Sequence, residues 1–239
     1  MDSDTPKALS LSVVVPVWME AAGIQQTLQA LQPIRKAGHE VIVVDGGSSD
    51  NTPNLARPFC DHLLISDPGR AVQMNAGAAK ARGNLILFLH ADTRLPEDAL
   101  ACLSHAWRRG RIWGRFDVRL SGDRWVFRTV AWFMNWRSRL TGICTGDQAM
   151  FVRRDVFEAL GGFRPMPLME DVELSTRLKL VARPHCIAAP VTTDSRRWEQ
   201  GGVWPTIVLM WRLRWRYWRG EAPESLAAHW RRNVRHAKH

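Results

Sequence analysis

Val41-Ile42-Val43-Val44-Asp45-Gly46-Gly47-Ser48-Ser49-Asp50 is the stretch whose reading decides the fold. Four β-branched residues in a row suit a strand covered on both faces. The acid, the two glycines and the Ser-Asp pair that follow suit a loop turning into a helix. Ser49 or Asp50 is the candidate N-cap of that helix, expected to run to about Cys60. The same alternation extends to both sides. Residues 11–17 read as a strand and 20–34 as a helix with an acid in its first turn. Residues 62–66 read as a third strand, 71–82 as an Ala-rich helix and 85–89 as a fourth, buried strand. Pro96 stands where the first residue of a helix belongs, with that helix running to about 109. This rhythm predicts βαβ units, and so an α/β fold with a Rossmann-like, mostly parallel central sheet flanked by helices.

After Gly110 the rhythm changes. Phe116, Val118 and Leu120 alternate with Arg115, Asp117 and Arg119, which predicts a half-exposed strand with its charges outward. An aromatic helix over 125–140, a short strand over 149–152 and a short helix to Leu160 follow, the last closed by Gly161-Gly162. Residues 172–182 read as a helix stopped by Pro184, and 203–219 as a final basic, Trp-rich helix. Gly201-Gly202 marks a boundary between a domain over 1–202 and a C-terminal basic aromatic helix and tail over 203–239.

The 239 residues are 46% hydrophobic, enough for a sizeable core. Four cysteines without a C-x-x-C spacing argue against a zinc site or disulfide framework and fit a reducing compartment. The polar start and an apolar run over 203–211 that is about half a bilayer span predict a cytoplasmic protein. The net charge of +10 is local: residues 107–139 hold 9 Arg against 2 acids, and 203–239 hold 8 Lys or Arg against 2 acids. Those segments also carry 10 of the 12 tryptophans, so the charge travels with indole. A uniformly basic nucleic-acid binder would not be laid out this way, and no nucleic-acid partner is expected.

Carboxylates end the strands and open one helix, on the rim where ligands bind in such sheets. Asp45 either accepts hydrogen bonds from a base or ribose or caps the next helix. Asp92 ends Leu89-His90-Ala91-Asp92, and alternation puts His90 on its side. The two can share a hard divalent cation with diphosphate oxygens, or His90 is a core histidine and Asp92 a turn residue. Glu170-Asp171 opens a helix, where the dipole favours acids in any case and where a general base could also stand at a pocket wall. Arg70, after Pro68-Gly69, is either a nucleotide contact or a solvated charge.

Taken together these blocks resemble the family-2 glycosyltransferases of the GT-A fold, over about residues 11–198. Ser12-Val13-Val14-Val15-Pro16-Val17-Trp18-Met19-Glu20 is similar to that family's opening strand and Pro-x-x-Asn-Glu signature, with Met19 in place of Asn. Val43-Val44-Asp45-Gly46-Gly47-Ser48-Ser49-Asp50 resembles its Val-Val-Asp-Asp-Gly-Ser segment, and Gly69-Arg70 through Ala81-Arg82-Gly83 its third block. His90-Ala91-Asp92 stands at its Asp-x-Asp metal motif, and Gly161-Gly162-Phe163 through Glu170-Asp171 at its Gly-Gly-Phe and Glu-Asp blocks. The His-Ala-Asp-Thr form and Arg196-Arg197-Trp198-Glu199 resemble most the radical-SAM/selenodomain-associated transferases.

The resemblance implies an enzyme that transfers a sugar, with inversion, from a nucleotide-sugar donor (a UDP-sugar favoured) to an acceptor hydroxyl, lipid-linked or on a small molecule. It implies that Pro16, Glu20, Asp45 and Arg70 line the nucleotide pocket. Asp92 would hold Mn²⁺ or Mg²⁺ with His90 as a second ligand, Asp171 would be the base and Glu170 its neighbour. His90 in place of the first Asp removes one negative charge from the metal motif. Arg197-Trp198 resembles the Gln-x-x-Arg-Trp element of processive members, with Asp194 where Gln should stand. The alternative is a non-catalytic peripheral membrane protein on the same scaffold.

Trp204, Val208, Trp211, Trp215 and Trp218, spaced 4, 3, 4 and 3, share one helical face. With arginines on other faces, the stripe suits the inner surface of an anionic membrane, packing on the domain itself, or a homodimer interface. Trp125, Trp132, Trp136 and Leu140 form a second stripe.

Overall fold

A computed structural model describes residues 8–236, apart from the side chains of Arg197, Gln200 and residues 233–236. The first seven and last three residues of the expected segments 1–202 and 203–239 therefore lie outside the described residues.

Eight strands form one sheet: β1 (Leu11–Val17), β2 (Glu40–Asp45), β3 (His62–Ile65), β4 (Leu85–Phe88), β5 (Thr93–Arg94), β6 (Trp113–Leu120), β7 (Met150–Arg153) and β8 (His185–Thr193). Their order is β3-β2-β1-β4-β7-β6-β8-β5. The first four are parallel, as expected. Beyond β4 the sheet is mixed: β7 runs antiparallel to β4 and β6, β6 and β8 are parallel, and β5 is antiparallel to β8. The order of strand addition reverses at β1, with β2 and β3 on one side and β4 on the other, and such a switch point opens the crevice in which α/β sheets bind ligands.

Eleven α-helices surround the sheet among the described residues: α1 (Ile24–Ala30), α2 (Gln32–Lys36), α3 (Thr52–Ala56), α4 (Arg70–Lys80), α5 (Ala99–Arg108), α6 (Trp125–Thr141), α7 (Arg154–Ala159), α8 (Glu170–Val181), α9 (Arg196–Gly201), α10 (Val203–Trp218) and α11 (Pro223–His236). Alternation along β1 assigns its faces. Val13, Val15 and Val17 pack with Ile24, Leu28, Ala56 and Leu103. Val14 packs on the other side with Ala71, Met74, Leu174 and Leu178. The result is an α/β/α sandwich with the parallel strands buried on both faces.

Several expectations are corrected. Glu20 does not lie in a helix, because its carbonyl accepts the amides of Gly23 (3.0 Å) and Ile24 (2.9 Å) in a turn that delays α1. Pro96 precedes its helix in the same manner: the Ala99 amide bonds the Pro96 carbonyl and α5 starts at Ala99. Arg115, expected outward, is fully buried. It donates to Ser138 Oγ (3.0 Å) and the Phe116 and Asn135 carbonyls (both 3.1 Å), and pairs with Asp117. The β8 and β5 strands and α11 are additional elements. Val203 packs with Phe127 and Val130 of α6, while Leu213 and Leu226 pack against Met169 at the entrance to α8.

The tightest seam of the sheet is at Gly114, which pairs with both Phe151 and His185. A Cβ there would stand 2.0 Å from the His185 carbonyl oxygen, a backbone atom with nowhere to retreat. Gly114→Ala is expected to cost about 3 kcal/mol or more through overpacking, read as a lowered urea midpoint.

Candidate active site

Of the residues expected to line a nucleotide pocket, Pro16, Glu20 and Asp45 lie at or just past the carboxyl ends of β1 and β2. Asp45 is buried (1% exposed) and does not cap α3. Its Oδ2 accepts the amides of Gly47 (3.0 Å) and Ser48 (2.8 Å), and its Oδ1 the Ser48 hydroxyl (2.5 Å), so it shapes the glycine loop. Asp50 takes the next station, accepting the Thr52 amide and hydroxyl and the Ala21 amide (3.2 Å). Thr52 also bonds the Glu20 amide (2.8 Å), and Ser48 Oγ the Met19 amide (2.8 Å), so the two loops hold each other. Gln73, a residue the sequence reading missed, reaches from α4 and donates to the Val17 carbonyl of β1 and the Val44 carbonyl of β2, at 2.8 Å each. Pro16 lies buried in β1 beside Val44.

Met19 has φ of 56°. Asn populates this left-handed region far more readily than Met does. The Asn of the Pro-x-x-Asn-Glu signature thus answers a backbone need that Met19 meets under strain. Two further non-glycine residues have positive φ, Ala149 (47°) and Met169 (70°), and each also borders the site.

Asp92 and Glu20 face one another electrostatically. Burial, and then the Asp92 charge, raise the Glu20 pKa, while Arg196 and Arg70 pull it down. Asp92 accepts the Thr93 hydroxyl at 3.1 Å, and its carbonyl takes the Asp194 amide at 3.1 Å. That bond ties the start of α9 to the turn after β4, and Arg196 acts on Glu20 from there; the Arg197 side chain lies outside the described residues. His90 keeps other company. Its Nδ1 stands 3.6 Å from Asp147 Oδ1, and its ring occupies the space next to Gly146, where a Cβ would meet it at 2.3 Å. Among the described residues no group of three or more His, Cys, Asp and Glu side chains is arranged as a metal cage. Asp92 and Glu20, the first of which raises the pKa of the second, offer hard oxygen donors of the type that suits a cation whose other ligands come from phosphate oxygens.

Glu170 and Asp171 occupy the first turn of α8, as expected. Asp171 Oδ2 accepts the Gly146 amide (2.8 Å) and Oδ1 the amide of Val172 (2.7 Å), which fixes the carboxylate and leaves a lone pair on each oxygen. The helix behind it is anchored by Glu173, which pairs with Arg177 (2.6 Å) and Arg164 (3.0 Å). Arg177 also bonds the Leu160 and Gly162 carbonyls (2.7 Å each), and Asn75 of α4 clasps Phe163 by both its backbone groups. The Gly-Gly-Phe block thus positions α8. Glu170 is buried (5% exposed). Burial and the Asp171 charge raise its pKa, and Arg70 and His90 oppose them. Arg70 pulls down the pKa of Glu20 and of Glu170 alike.

A central mixed sheet with nucleotide-type loops on β1 and β2, an acid past β4 and a fixed carboxylate at the mouth is the GT-A architecture. The chain belongs to glycosyl transferase family 2, whose family model matches residues 12–161. The probable glycosyltransferase YdaM of Bacillus subtilis is 28% identical over 236 residues, covering 88% of this chain and 54% of that protein. Beta-monoglucosyldiacylglycerol synthase of Trichormus variabilis is 26% identical, covering 70% of this chain and 41% of that protein. The chain thus spans about half or less of the length of these curated relatives. S. aureus TarS 1-349, in complex with UDP-GlcNAc, superposes with a TM-score of 0.64 at 19% identity, over 78% of this chain and 58% of that one. The mannosyltransferase PcManGT of Pyrobaculum calidifontis, in complex with GDP-Man and Mn²⁺, gives 0.62 at 23% identity, over 96% and 69%.

The Glu170 shift has a testable sign. Below the ordinary carboxylate range Glu170 is neutral in both folded and unfolded chains, so the fold loses nothing. As pH rises through its raised folded-state pKa, the unfolded chain ionises first and stability falls. Glu170→Gln should therefore match the wild type in Tm at acid pH and exceed it increasingly towards neutrality.

Proposed function

We propose that the chain transfers a sugar from a nucleotide-sugar donor to an acceptor hydroxyl with inversion, Asp171 acting as the base. The observation that carries this reading is the Asp171 carboxylate, held by two amides at the mouth of the crevice whose other rim bears Asp45, Glu20, Arg70 and Asp92. Asp45 and its glycine loop, with Pro16 at the end of β1, would seat the nucleoside, a UDP-sugar favoured. Arg70 and Arg196 would face the diphosphate. Asp171 takes the proton of the acceptor hydroxyl while that oxygen bonds the anomeric carbon. The bond from that carbon to the diphosphate breaks on the opposite side, and its electron pair leaves with the nucleoside diphosphate. Asp92 would hold Mn²⁺ or Mg²⁺, which when bound offsets the charge growing on the diphosphate. His90, turned to Asp147 and Gly146, is read as the support of the Asp171 turn instead of a ligand. The His-Ala-Asp-Thr form supports membership of the radical-SAM/selenodomain-associated transferases.

Asp92→Ala and Asp171→Ala should each lower nucleoside diphosphate release in the presence of acceptor by roughly 10²–10⁴-fold. The assay is a screen of UDP- and GDP-sugars with Mn²⁺ and with chelator. Normal turnover in both variants would sink the assignment.

A specific observation favours peripheral membrane docking as part of this reading. Trp204, Val208, Trp211, Trp215 and Trp218 of α10 are 57–80% exposed, and Trp125, Trp132, Phe133, Trp136 and Leu140 of α6 are 47–76% exposed. Packing against the domain core is therefore not what these stripes do. Arg212 and Arg219 are exposed beside the α10 stripe, and Arg219 lies over the Trp215 ring at 5.1 Å. Indole with guanidinium suits an anionic lipid interface. No helix among the described residues is long and apolar enough to cross a membrane. Replacing Trp211 and Trp215 by Ser and Arg212 by Gln should cut sedimentation with phosphatidylglycerol vesicles at least about tenfold. Unchanged vesicle binding, or a concentration-dependent dimer that the same changes abolish, would point to a second copy as the occupant.

A further inference from the structure

Arg137 of α6 and Arg214 of α10 both lie within electrostatic reach of Asp171, Arg137 also within reach of Arg214, and the proposed transfer uses neither. The Nε atoms of both, and Nη2 of Arg137, are shielded from solvent and have no hydrogen-bond partner in the described structure. Neither forms an ion pair, although eleven arginine–carboxylate and histidine–carboxylate contacts are present among the described residues. Burial, and then the charge of Arg214, pull the Arg137 pKa down to about 10, with Asp171 among the opposing charges. Arg214 is lowered by burial against the charges of Asp171 and Asp147. Two like charges near one another with three of their nitrogens shielded and unbonded are costly unless something binds them.

Three roles compete for the pair. As counter-ions of Asp171 they would be expected to bond it, yet its oxygens take the Gly146 and Val172 amides. As clamps on the donor diphosphate they would face Glu20 and Asp92, yet the cations acting on Glu20 are Arg196 and Arg70. That leaves the side of Asp171 away from the donor, where an acceptor must approach. A guanidinium fork matches phosphate oxygens, and two forks match a dianion better than a carboxylate.

We propose that Arg137 and Arg214 form an oxyanion subsite beside Asp171 that takes a phosphate group carried by the acceptor. The assignment of this group to the acceptor rests on Asp171 being the base. The phosphate could belong to a soluble phosphoester or to a lipid reaching in beneath the Trp faces of the same two helices.

The test is calorimetric titration of the full chain with inorganic phosphate, run with saturating UDP so that the donor site is filled. Arg137→Gln and Arg214→Gln should each weaken phosphate binding at least tenfold, leave UDP affinity within twofold and leave the Tm without phosphate unchanged or higher. Acetate should bind the wild type at least tenfold more weakly than phosphate. Phosphate affinity unaltered in both variants would overturn the proposal, as would a parallel loss of UDP affinity, which would give the pair to the donor. If a Gln variant does not fold, Arg137→Lys and Arg214→Lys keep the charge but not the fork, and should still weaken phosphate binding. Vesicles containing phosphatidic acid, compared with glycerol 3-phosphate, separate the lipid source from the soluble one. None of these readouts is turnover, so a failure of the catalytic reading, seen as normal transfer by Asp171→Ala, is distinguishable from a failure of the subsite.

Discussion

The amide of Gly146 can reach Asp171 only because no side chain stands at position 146; the His90 ring fills that space. Three segments far apart in sequence are fixed by that one arrangement: the turn after β4, the turn before β7 and the first turn of α8. The base proposed at Asp171 would need an orientation as much as a pKa, and the Gly146 amide is a backbone donor that cannot rotate away. His90 thereby gains a reason to be present that has nothing to do with charge at the metal motif.

The charges divide into two territories with this junction between them. On one side Asp92, Arg196 and Arg70 act on Glu20; on the other Arg214 and Asp171 act on Arg137, and Asp171 and Asp147 on Arg214. Glu170, buried and with a raised pKa, feels members of both. Such a division lets one group of charges respond to a ligand without a direct contact to the other, since Coulomb terms in a poorly solvated interior fall off slowly.

The parallel half of the fold was legible because strands buried on both faces leave unbroken apolar runs and glycine-rich loops behind them. The other half was not. β8 carries Ala188, Ala189 and Pro190 where a strand would be expected to carry branched residues, and its pairing with β6 slips between Phe116 and Asp117. Pro190 has no amide to offer a ladder, so a bulge there is physically reasonable and the hydrophobic pattern is erased. Arg115 defeated the alternation rule for a different reason: period-two reading assumes that a charge seeks water, and Ser138, Asn135 and Asp117 supply its partners indoors. At the site, Asp45, Asp92 and Asp171 were visible as acids at element ends. Gln73, Gly146, Arg137 and Arg214 were not, because an amide, a glycine and two arginines inside helices carry no local signal of what they face across the fold.

Seven of the 12 tryptophans stand exposed on α6 and α10. Indole emission shifts to shorter wavelength when the ring leaves water. Most of this protein's intrinsic fluorescence should therefore come from the two faces whose occupant matters, with only a minority from rings inside the core such as Trp113. The molecule carries its own optical reporter for whatever comes to cover those helices, with no label to perturb it.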